Sequence, residues 1–73
     1  MPPLPVVSGA ACIKALERVG YLVVRQKGSH AWLECPGRPS VPVPLHKTLD
    51  RGTLRSILRV TGVAVEEFVR LLA

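Results

Sequence analysis

A chain of 73 residues buries only about 60% of the surface that it exposes when unfolded, which leaves room for one core and one domain. Hydrophobic residues make up 48% of it, excluding disorder over the whole length, and with only Tyr21, Trp32 and Phe68 as aromatics most of that core must be Leu, Val and Ile. Ten Lys and Arg against five Asp and Glu give a net charge of +5 and a pI near 10.0; the first partner for so dense a positive field is nucleic acid, ahead of an acidic membrane or an acidic protein.

The start, Met1 to Val7, has no basic stretch followed by a long apolar run, so it reads as neither a signal peptide nor a membrane anchor. Its prolines, Pro2, Pro3 and Pro5, forbid a helix, and residues 1–7 are expected as a short extended arm before a single domain over 8–73. Cys12 and Cys35 lie in different predicted elements without C-x-x-C spacing, as reduced thiols of a cytoplasmic protein do. With His30 and His46 they lack the close ligand spacing of a structural zinc site, so no metal is expected.

Ser8 suits an N-cap, and Cys12, Ile13, Leu16 and Val19 then recur at helical spacing until Gly20 stops the run, predicting a helix over 9–19. Lys14 and Arg18 stand one turn apart on its outward face. Two β-rich runs follow, 21–27 and 30–35, joined by Gly28-Ser29 in the pattern of a type II′ hairpin. Pairing Lys27 with His30 and Arg25 with Trp32 predicts Leu22, Val24, Ala31, Leu33 and Cys35 on the core face. Val23, Arg25, Lys27, His30, Trp32 and Glu34 fall on the other.

After a turn at 36–39, residues 40–45 make a third strand with Val41, Val43 and Leu45 inward. Pro42 and Pro44 lack N–H donors on the same side, so this strand lies at an edge and 30–35 lies in the middle. Asp50 can cap a helix that turns Leu54, Ile57 and Leu58 inward and ends at Gly62, while Arg51, Arg55 and Arg59 form a basic ridge. A last helix over 65–72 buries Val65, Phe68, Leu71 and Leu72; Glu66 and Glu67 complement its dipole, but Ala64 is a poor cap. The order defines an α+β fold, a three-stranded antiparallel sheet with helices on one face, which is also the order of double-stranded RNA binding domains.

On the outer face of the hairpin, Arg25 and Lys27 can bind phosphate, His30 can move a proton near neutral pH, and Trp32 can stack a base. Cleavage of RNA by its own 2′-hydroxyl needs such a set: a base for the 2′-OH proton, a cation for the phosphorane and an acid for the departing 5′ oxygen. There is no Gly-rich phosphate loop, no H-E-x-x-H, no nucleophile elbow and no acidic cluster for Mg²⁺, so any nuclease here is expected to need neither metal nor cofactor. The residues alone equally fit a turn histidine without a role, a tryptophan that only covers the sheet and a solvated arginine ridge. They leave open a non-catalytic RNA-binding module and an interaction domain for an acidic protein.

Several segments in this order carry a resemblance to a known family. They are Val7-Ser8-Gly9, Gly20-Tyr21, Val24-Arg25-Gln26-Lys27-Gly28-Ser29-His30, Val43-Pro44-Leu45-His46 and Gly52-Thr53-Leu54-Arg55-Ser56-Ile57-Leu58-Arg59. Over residues 7–72 the chain resembles the HicA (YcfA-like) toxins, mRNA interferases of toxin–antitoxin systems. The resemblance implies a dsRBD-like fold, endoribonuclease activity on mRNA and a HicB-type antitoxin that covers the active surface. It also implies a catalytic histidine in the Gly-Ser-His segment, here His30. From the residues themselves, RNA is expected on Arg25, Lys27, Ser29, Trp32, Lys14, Arg18, Arg51 and Arg55. His46 is the less favoured second participant, since the loop from His46 to Asp50 is short. Small Ala31 and the uncapping Ala64 depart from the family pattern.

Overall fold

Ser8 opens the first helix in the way its sequence asks: its Oγ accepts the backbone N–H of Ala11 at 3.0 Å, satisfying one of the free donors of the first turn. The structure, a computed structural model, describes residues 3–73; Met1 and Pro2, the start of the expected arm, lie outside the described residues. In chain order the elements are α1 (Gly9–Glu17), β1 (Leu22–Lys27), β2 (His30–Cys35), β3 (Arg38–Pro44), α2 (Arg51–Thr61) and α3 (Val65–Leu71). The strands form one antiparallel sheet in the order β1-β2-β3, so β2 is central and the proline-bearing β3 lies at an edge, as Pro42 and Pro44 require.

One core lies between the sheet and the helices. Cys12, Ala15 and Leu16 of α1, Leu54, Ile57 and Leu58 of α2, and Phe68 of α3 bury against Ala31 and Leu33 of β2 and Val41 and Val43 of β3. Tyr21, just ahead of β1, is fully buried and donates its hydroxyl to the Pro39 carbonyl at 2.8 Å, which satisfies the one polar atom that its burial would strand. Arg38 reaches from the start of β3 to the last turn of α2 and donates to the Thr61 carbonyl, 2.6 Å away, a cation placed where the helix dipole favours one. Gly62 closes that helix with φ +74° and its N–H on the Leu58 carbonyl. Ala64 offers α3 no side-chain cap, as its sequence implies.

The first strand departs from the expected faces. Arg25 pairs with Trp32 and Lys27 with His30, but a bulge between Val23 and Arg25 shifts the register, so that Val23 stands opposite Leu33 and Leu22 opposite Glu34. Val23 therefore lies on the core side of the sheet and Leu22 on the outer side, the reverse of the unbroken alternation. Leu22 and Val24, expected in the core, are 64% and 52% exposed. Even Val23 remains 42% exposed, because the buried cluster draws on β2 and β3 and contains no residue of β1. Leu33→Ala is expected to cost about 3 kcal/mol in a denaturant titration and Leu22→Ala less than about 1 kcal/mol; equal losses would restore β1 to the core.

At Gly9, α1 comes against the end of β3 too closely for any side chain. A Cβ built on Gly9 would overlap the Pro44 carbonyl oxygen and press on the Leu45 backbone, neither of which can rotate away. The Gly9 N–H donates to the His46 carbonyl at 3.0 Å, and the Leu49 N–H donates to Val7 at 2.8 Å, so the segment ahead of α1 and the loop after β3 are laced together. Gly9→Ala is expected to cost about 2 kcal/mol, a fall of roughly 10 °C in melting temperature. Gly52→Ala, where a Cβ meets nothing within 4 Å, is expected to leave stability unchanged or to raise it by up to about 1 kcal/mol.

Candidate RNA-binding and cleavage site

The Gly28-Ser29 turn sets the site. Gly28 takes φ +59° while Ser29 keeps a negative φ, the sign pattern of a type II′ turn, and this locks Lys27 opposite His30. Across the three strands the outer face then carries two rows, Arg25–Trp32–Pro42 and Lys27–His30–Pro44. The cations come from β1, the imidazole and indole from the central strand, and the pyrrolidine rings from the edge. His30 is exposed and Trp32 half-buried. The Ser29 carbonyl accepts the Leu45 N–H at 2.6 Å, tying the turn to the loop that carries His46.

A groove of about 440 Å³ runs beside this face, between the proline edge of β3 and α2. His30, Val41, Pro42 and Pro44 line one side; Asp50, Gly52, Thr53, Ser56, Ile57 and Val60 line the other. Asp50 occupies the N-cap position of α2 expected of it, yet its carboxylate makes no capping bond to the helix backbone. Instead Oδ2 accepts the Thr53 hydroxyl at 3.1 Å.

Four of the nine residues expected to meet RNA, Arg25, Lys27, His30 and Trp32, share the outer face, and Ser29 stands exposed in the adjoining turn. Of the nine, only His30 lines the groove. Arg51 and Arg55 are exposed on α2, but with Arg59 they follow a stripe centred roughly a third of a turn away from the Thr53–Ser56–Val60 side, at about 100° per residue. Lys14 is exposed on α1, and Arg18 donates to the carbonyl of Ala73 at 2.8 Å. His46 is exposed and lies outside the groove lining. Sequence reasoning assigned no role to Thr53 and Ser56, although their spacing with Val60, roughly a third of a turn from the Leu54–Ile57–Leu58 stripe, marks a second helix face.

Of the two thiols, Cys12 offers no nucleophile in the folded protein. Cys12 is fully buried, and loss of hydration pushes its pKa up to about 12. Burial also raises the Tyr21 phenol, with Cys35 adding to the shift and Arg38 opposing it. At pH 8 an aromatic disulfide reagent is expected to titrate the half-buried Cys35 and to reach Cys12 only after unfolding; two fast-reacting thiols in the native protein would contradict this burial. Among the described residues no group of three or more His, Cys, Asp and Glu is placed to hold a metal ion, and no helix is long and apolar enough to cross a membrane.

Helices on one face of a three-stranded antiparallel sheet, with a basic, histidine-bearing opposite face, define a small α+β protein of the dsRBD-like class. The family described as the HicA toxin of bacterial toxin–antitoxin systems matches residues 9–63, a span that takes in the turn, both sheet rows and every groove residue and leaves α3 outside. The chain belongs to the HicA toxin family, so it is the toxin half of a pair whose other half is an antitoxin. No curated protein matches it closely enough to count as a relative.

Proposed function

We propose that this toxin is an endoribonuclease that cuts mRNA in the cytoplasm without a metal ion, with His30 as its proton carrier. The observation that carries the reading is the position of His30, exposed on the central strand with Lys27 beside it across β1 and the groove on its β3 side. In the step proposed, the 2′ oxygen attacks phosphorus as its proton leaves, the P–O5′ bond breaks, and the 5′ oxygen takes up a proton. The products are a 2′,3′-cyclic phosphate and a 5′-hydroxyl end. Imidazole serves such transfers because it gains and loses a proton near neutral pH. Lys27 and Arg25 offset the charge that develops on the phosphorane, Ser29 holds a phosphate oxygen at the turn, and Trp32 stacks a base.

Lys14, Arg18, Arg51 and Arg55 lie off the groove, and their proposed part is to hold flanking phosphates. A HicB-type antitoxin would restrain cleavage by covering the His30 face. The non-catalytic alternative, an RNA-binding module, predicts salt-dependent binding with no new ends.

Incubation with RNA in EDTA is expected to give cyclic-phosphate ends with the wild type and a rate at least about 100-fold lower with His30→Ala. Equal cleavage by both proteins would remove His30 from the reaction, and cleavage abolished by EDTA would overturn the metal-free step. Arg51→Gln and Arg55→Gln are each expected to weaken RNA binding and to lower the salt slope by about one, leaving the rate at saturation unchanged.

A further inference from the structure

We infer that the groove between β3 and α2 is a nucleobase subsite that selects guanine, read by Asp50 with Thr53 and Ser56. The inference rests on the ribonuclease reading only for placing the scissile phosphate at His30. The void, about 440 Å³, suits one nucleotide and is too small for a folded element. One wall presents the Pro42 and Pro44 rings and the other Val60, apolar surfaces between which a flat base can lie once it leaves its own stack.

The polar groups of the groove are confined to the α2 wall and to His30. Asp50 sits at the N-cap yet spends nothing on the backbone N–H groups; its one bond is from the Thr53 hydroxyl to Oδ2, which leaves Oδ1 free to accept. A carboxylate is acceptor-only and takes two parallel N–H bonds best. Guanine is the RNA base that presents two adjacent N–H donors, N1–H and the N2 amine, on one edge; adenine, cytosine and uracil do not. Ser56, one turn on from Thr53 on the same wall, supplies a hydroxyl for the neighbouring O6. Charge sets the direction of the strand, because Asp50 repels phosphate and Lys27 beside His30 attracts it. The base therefore enters toward Asp50 and its phosphate lies toward His30.

Titration of the ¹⁵N-labelled wild type with 5′-GMP, AMP, CMP and UMP tests this without any cleavage. GMP is expected to shift the amides of Gly52, Thr53 and Ser56 and to bind at least about tenfold tighter than the other three. Asp50→Asn, which keeps a good N-cap residue, is expected to reduce the preference below about threefold, and Val60→Trp, at a position 38% exposed, to fill the groove and abolish the shifts. Mapped cuts in a mixed RNA pool should then show a guanine bias at one fixed position from the cut, lost in Asp50→Asn while His30-dependent cleavage persists. Shifts confined to the arginine ridge, equal binding of the four nucleotides, or an unchanged preference in Asp50→Asn would overturn the subsite. If GMP binds the groove and no RNA is cut, the ribonuclease reading fails and the subsite stands; His30-dependent cuts without base bias or groove shifts are the converse.

Discussion

The fold depends on how closely α1 can approach the end of β3. Gly9 lies against the Pro44 carbonyl with no space for a side chain, and from that contact the Gly9 N–H reaches the His46 carbonyl. The Leu45 N–H, one residue back, binds the Ser29 carbonyl in the hairpin turn, and Leu49 binds Val7. The segment before α1, the loop after β3 and the turn before His30 are thereby joined by backbone bonds, which hold position better than flexible side chains do. His30 and Pro44, register partners, inherit their mutual position from this lacing.

The sheet is used unevenly. Its core-side surface is sealed on β2 and β3, while β1 lies outside the buried cluster and carries Arg25 and Lys27 for the outer face, with apolar Leu22 and Val24 left in solvent. A bulge in that strand increases local twist and interrupts the edge, which limits pairing with another chain. At the other edge, Pro42 and Pro44 have no donors to offer a further strand, and a helix flanks that edge instead. The groove is the space left between that proline edge and α2.

Charge is distributed in more than one place. The positive side chains beside His30 come from one strand, the α2 arginines face elsewhere, and Arg18 is drawn to the C-terminal carbonyl of Ala73. Such an arrangement suits a polyanion that wraps more than one side of a small protein.

The order of elements, the hairpin register at Lys27–His30, the edge position of β3 and the caps at Ser8 and Gly62 were all legible in the sequence, because each follows from local chemistry: a hydroxyl acceptor, a positive φ, a missing N–H. The faces of Leu22, Val23 and Val24 were not, since three successive apolar residues carry no alternation to set a register and the bulge shows only in the pairing of β1 with β2. The family segments marked Gly9 and Thr53 to Ser56 without giving a reason for them. Only the tertiary structure showed that Gly9 meets a carbonyl and that Asp50 turns from its helix's backbone N–H groups to a hydroxyl beside a groove, because the first depends on elements more than thirty residues apart in sequence and the second on a side-chain choice between competing donors. His30 was thus placed on the central strand by the turn before it and the edge prolines of β3, and given its neighbours across the groove by the packing of α2.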